Sequence, residues 1–141
     1  MRRLFIPRDR RRWLGVGVVF VWFAIGGVGH FLATDLEMTI VPPWVPWPRQ
    51  VVWVSGVFEL LGAAGLLYAP ARRGAGLGLF ALTIAVTPAH LYMLQRPEDF
   101  AVPYWALVLR LPVQLGLLSL IAWSTGAFDR RRLSEGRGAC P

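Results

Sequence analysis

Four apolar runs, each about 20 residues long, occupy most of this chain and set what it can fold into. They cover residues 13–33, 51–69, 74–94 and 103–123. With about 1.5 Å of rise per residue, each forms a helix of about 30 Å, the thickness of a hydrocarbon core. Inside lipid every backbone N–H and C=O needs a partner within the protein, which leaves helices and closed barrels. Barrel strands alternate in polarity over shorter segments, and these runs do not. The expectation is an all-α fold, a four-helix transmembrane bundle. Hydrophobic residues make up 55% of the chain and mean hydropathy is +0.50, too apolar for a soluble domain of 141 residues. Residues 13–124 read as the membrane domain, with 1–12 and 125–141 as two short basic tails.

Charge sets the orientation. The formal net charge is +7, and all 15 basic residues are arginines. They cluster beside the apolar runs: Arg2, Arg3, Arg8, Arg10, Arg11 and Arg12 before the first, Arg72 and Arg73 between the second and third, and Arg130, Arg131, Arg132 and Arg137 after the fourth. The first and third loops hold only Arg49 and Arg96, offset by Asp35, Glu37, Glu98 and Asp99. The positive-inside rule then places both termini in the cytoplasm. Such clusters suit anionic lipid and not nucleic acid, since no basic stretch away from a span carries base-stacking aromatics. Arg2-Arg3-Leu4-Phe5 loosely resembles a twin-arginine signal. The run behind it is too long for a signal and lacks a small-residue cleavage site, so it reads as an uncleaved first helix. Cys140 is the one cysteine, which excludes an intrachain disulfide and a thiolate metal cage.

Five polar residues interrupt the apolar runs: His30, Glu59, His90, Arg110 and Gln114. Ionisable groups are costly in lipid, face a bundle interior, and mark functional sites by default. Helical rise puts His30 and His90 about a turn from the outer ends of the first and third helices. It puts Glu59 and Arg110 about two turns below the outer ends of the second and fourth. Gln114 lies one turn beneath Arg110 on the same face. All five could line one pocket opening outward. Glu59 and Arg110 also fit a structural ion pair, if their helices are neighbours. The loop acids Asp35 and Glu37 read as solvated. Pro88 and Pro112 are placed to bend the third and fourth helices beside His90 and Arg110. Residues 42–48, Pro-Pro-Trp-Val-Pro-Trp-Pro, read as a stiff segment on the outer surface, with Trp44, Trp47 and Trp53 at the interface. Arg12, His30 and Pro43-Trp44 are matched about 60 residues on by Arg72, His90 and Pro103-Tyr104, a pattern of two tandem hairpins.

This set suits a quinone or another lipid-soluble carbonyl compound. His, Arg and Gln supply donors, and Glu and His relay protons. A haem held by His30 and His90, or a zinc ion held by both histidines and Glu59, is less well matched. No further haem signature is present, and Arg110 would repel a cation.

Taken in order, several stretches resemble the DoxX-like family of small membrane proteins. They are Gly29-His30-Phe31, Met38 with Pro42-Pro43 and Pro46-Trp47-Pro48, and Ser55-Gly56-Val57-Phe58-Glu59-Leu60-Leu61-Gly62. Pro88-Ala89-His90-Leu91-Tyr92-Met93 and Leu109-Arg110-Leu111-Pro112-Val113-Gln114 complete the set. The resemblance spans roughly residues 14–124 and implies a four-helix bundle in the bacterial inner membrane. It also implies membership of a membrane redox system, and marks His30, Glu59, Arg110 and Gln114. His90 departs from the asparagine usual in that family. The chain has no evident electron carrier, so a protein partner or a homo-oligomer is expected beside the bilayer itself. Two other readings are a non-enzymatic assembly subunit, and an enzyme acting on a membrane-embedded substrate with Glu59 as acid or base.

Overall fold

A computed structural model describes residues 10–128. Most of the two expected basic tails, and Cys140, lie outside the described residues. Within them the regular structure is entirely helical: α1 (Arg10–Leu32), α2 (Thr34–Ile40), α3 (Pro48–Leu67), α4 (Arg72–Ala85), α5 (Thr87–Gln95), a 3-10 turn at Pro97–Asp99, and α6 (Tyr104–Thr125). Four segments are long and apolar enough to cross a membrane: Arg10–Leu32, Pro48–Leu67, Arg72–Gln95 and Tyr104–Thr125.

Local chemistry sets the boundaries. α3 begins at Pro48, ahead of its apolar run, because the fixed φ of proline suits a first helical turn. Trp47 before it takes φ 52°, a left-handed conformation that turns the chain out of the proline segment. Gly126 ends α6 at φ 64°. The third span breaks at Val86, because Pro88 has no N–H to offer the carbonyl one turn back. Pro112 does not have that effect, and α6 runs on as one helix through it.

Residues 34–40, expected as loop, form the short helix α2. Asp35 and Glu37 in its first turn suit the positive end of the helix dipole. The Thr34 hydroxyl donates back to the His30 carbonyl at 2.7 Å. α2 packs on α3 and touches α1 and α5, so it lies over one end of the bundle.

The spans form a four-sided ring in which α1 packs on α3, α3 on α4, α4 on α6, and α6 on α1. α3 and α6 therefore stand on a diagonal. A glycine opens each seam. A Cβ on Gly27 would lie 3.1 Å from the Gly56 carbonyl oxygen, and one on Gly56 would lie 2.8 Å from His30 Cβ. Leu79 packs into Gly62, Thr125 into Gly76 and Ser124 into Gly15. In lipid, helices associate through such close packing, since burying apolar surface gains little there. Val16, Val19, Phe23, Ala63, Leu66, Leu79 and Ile121 fill the centre. The outer face is equally apolar, with Leu14 and Leu32 at 71% and 83% exposure. That surface is suited to lipid and not to water.

The end opposite α2 is closed by arginines. Arg72 is buried; its Nε donates to the Leu66 carbonyl at 2.7 Å and its guanidinium lies 4.4 Å from the Trp13 ring. Arg73 Nε donates to the Ala127 carbonyl at 3.1 Å. These bonds satisfy a carbonyl in the last turn of α3 and tie that end to α1 and the chain after α6.

Substituting Gly56→Leu overpacks the α1–α3 seam and is expected to cost about 1–3 kcal/mol or more. Gly29, which has nothing within 4 Å of an added Cβ, tolerates alanine. Thermal unfolding of the two variants in detergent checks the contrast.

Candidate functional site

The backbone crossing at Gly27 and Gly56 positions the first group. His30 stands in the last turn of α1 and Glu59 one turn beyond Gly56 on α3. His30 Nε2 lies 3.5 Å from Glu59 Oε1. Gly26 makes room for the carboxylate, because a Cβ there would sit 2.7 Å from Glu59 Oε2. On the other side of the ring, Glu37 Oε2 from α2 lies 3.9 Å from His30 Nδ1. The result is a row of carboxylate, imidazole and carboxylate. Side-chain exposure falls along it from 30% at Glu37 to 16% at His30 and 13% at Glu59. α2 is pinned in place by Trp53 Nε1 donating to Thr34 Oγ1 at 3.1 Å and by an Arg49–Asp35 ion pair at 3.2 Å.

The row is short of hydrogen bonds. His30 Nδ1 and Glu59 Oε2 are buried without a hydrogen-bond partner among the described residues. Leaving such atoms unpaired costs about 1–3 kcal/mol each, so the arrangement is poor as a purely structural device. Chemically the inner pair, His30 with Glu59, can hold one proton in two net-neutral ways, as imidazolium with carboxylate or as imidazole with carboxylic acid. Each form avoids a net charge in lipid.

The second group lies on the α5–α6 seam and is saturated. Gln114 Nε2 donates to the Thr83 carbonyl at 2.8 Å and to Thr87 Oγ1 at 2.7 Å. A carbonyl only accepts, which fixes the orientation of the amide. Gln114 Oε1 must then accept from His90 Nδ1, 2.6 Å away. That assigns the Nδ1–H tautomer to neutral His90. These bonds bridge the α4–α5 break, which explains why Pro88 opens its helix at low cost.

The five expected residues thus fall into His30 with Glu59, His90 with Gln114, and Arg110 apart from both pairs. The Glu59–Arg110 ion pair is not formed. Their helices stand on the diagonal of the ring, and Glu59 is engaged by His30. Arg110 instead directs Nη1 at the Met93 sulfur, 3.6 Å away. Each histidine meets the second long helix of its own hairpin, in keeping with the tandem pattern. Glu37, which the sequence reads as a solvated loop acid, is instead turned back to His30 by the break at Ala33 and the helical form of α2. Thr83 and Thr87 were not visible as partners, because their roles depend on the break at Val86.

Two apolar grooves open on the surface, and neither is lined by these polar side chains. One, about 640 Å³, runs between α3 and α4 past Gly62, Gly65 and Ala75. The other, about 870 Å³, follows α1 from Trp13 past Val18 and Trp22 to Gly26, the residue that backs the Glu59 carboxylate. No group of three or more His, Cys, Asp or Glu side chains placed for a metal ion occurs among the described residues.

Replacing Gln114 by leucine strands the Thr83 carbonyl and His90 Nδ1, with an expected loss of about 1–2 kcal/mol. Nitrogen-15 shifts of His90 are expected to show the Nδ1–H tautomer in the unsubstituted protein and a mixture in Gln114→Leu.

The sequence model of one protein family, described as a domain of unknown function (DUF8561), matches residues 19–126, and the chain belongs to that family. The matched segment contains both histidine pairs, Glu37 and Arg110. No curated protein and no solved structure matches the chain.

Proposed function

We propose that this DUF8561 protein is a multi-pass subunit of the bacterial inner membrane that holds a quinone-like, lipid-soluble ligand. It exchanges protons between that ligand and the outer surface through Glu59, His30 and Glu37. The observation that carries the reading is the unsaturated row itself, a mostly buried carboxylate whose Oε2 has no partner among the described residues, connected by an imidazole to a more exposed carboxylate. The arginine distribution supports an outward-facing α2 and cytoplasmic termini. The likeness to DoxX-like proteins supports a place in a redox system.

The chemistry is simple. A quinol that loses two electrons also loses two protons. The electrons go to a redox centre on a partner protein. The protons go one at a time to Glu59 and pass by His30 to Glu37, over distances spanned by a side-chain rotation or one bridging water. The groove that ends at Gly26 suits a prenyl tail lying along α1, with the ring against the Glu59 side of the seam. The His90–Gln114 group favours a second reading for its own half of the molecule, a scaffold that keeps the broken span rigid for assembly. An enzyme acting on a membrane-embedded substrate would use the same Glu59, and would retain binding but lose turnover in Glu59→Gln.

Gentle purification, organic extraction and mass spectrometry test the proposal. A prenylated quinone in stoichiometric amount is expected from the unsubstituted protein. Retention is expected to fall about ten-fold in Glu59→Gln or His30→Asn, the effect of losing one charge-assisted hydrogen bond. Recovery of bulk phospholipid alone would contradict it.

A further inference from the structure

Arg110 has no counter-charge among the described residues. Its helix is one of the four spans, and it stands about 9 Å along α6 from Tyr104. The side chain is half-buried, and among the described residues its one polar contact is the thioether of Met93, itself 2% exposed. A guanidinium stays charged, and an unpaired charge at this depth is costly. The carboxylates at the α2 end are occupied elsewhere. Asp35 pairs with Arg49 and Asp99 with Arg96, while Glu37 and Glu59 flank His30. Glu98 is exposed on the 3-10 turn. No carboxylate lies within ion-pair distance of Arg110 among the described residues.

From this imbalance we infer that Arg110 is the anchor of a phosphate site on the α5–α6 seam, filled from outside the chain. The planar guanidinium presents donors in a fork that matches phosphate oxygens, which a thioether satisfies poorly. From about 9 Å inside the start of α6, a side chain as long as arginine can carry its head toward the membrane surface, where phospholipid phosphates sit. The same chemistry accepts the phosphate of a phospholipid head group or a free phosphate ion. The site stands on a different seam from His30 and Glu59 and does not depend on the role proposed for them.

Thermal unfolding of the purified full chain in an uncharged detergent tests the site. The probes are phosphatidylglycerol, inorganic phosphate and diacylglycerol, with Arg110→Leu and Arg110→Lys as variants. Phosphatidylglycerol at a hundred-fold excess over Kd is expected to raise the midpoint by about 9 °C. Diacylglycerol is expected to leave it unmoved, and Arg110→Leu to abolish the response. A response to inorganic phosphate alone that needs Arg110 would identify a free-ion site. If the leucine variant does not fold, Arg110→Lys serves in its place, since a lysine keeps the charge, loses the fork and is expected to give a smaller shift. An equal response to diacylglycerol would overturn the site. So would a phosphatidylglycerol response undiminished in the variants, since the phosphate would then be held by the arginines at the opposite end.

Discussion

Most of what happens at the α2 end depends on one close approach, that of α1 to α3 at Gly27 and Gly56. Neither glycine has room for a Cβ without moving its neighbour. Because the two antiparallel backbones meet there, His30 lies level with Gly56 and Glu59 level with Gly26, and the two side chains reach each other along the seam. Because His30 ends α1, the chain turns immediately into α2 and returns Glu37 to the other side of the same imidazole. A wider crossing would leave a carboxylate and an imidazole each alone in lipid, where neither is well tolerated.

The two polar groups answer that constraint in opposite ways. On the α5–α6 seam, the amide of Gln114 and the ring Nδ1 of His90 each have a partner, and the group repairs a backbone break. On the α1–α3 seam two buried atoms remain without one among the described residues. Saturated networks specify structure, whereas unsaturated ones keep capacity for something that binds or for a proton that moves. This difference, more than the number of polar residues in the membrane, separates scaffold from candidate site. It also separates two histidines that look equivalent at an offset of about 60 residues in the sequence.

The four spans were legible from hydropathy alone, because backbone hydrogen bonding in lipid permits few alternatives. The break before His90 was legible from Pro88. The identity of the polar residues was legible too, since each interrupts an apolar run. Their pairing was not, because it depends on which helices are neighbours, and periodicity carries no information about that. Glu59 and Arg110 have opposite charges at similar depth, yet the ring order puts their helices on a diagonal and gives Glu59 to His30. Glu37 was hidden for a local reason. Residues 34–40 precede a dense run of prolines and read as loop, so neither the turn at Ala33 nor the return of Glu37 to His30 could be read from spacing.

The central claim is that the buried carboxylate belongs to His30 and not to Arg110. Solid-state NMR dipolar recoupling in lipid, between the labelled Glu59 carboxyl carbon and nitrogen-15 in imidazole or guanidinium, tests it directly. The account predicts strong dephasing from His30, whose Nε2 lies 3.5 Å from Oε1, and none from Arg110. Dephasing from Arg110 with none from His30 would contradict it.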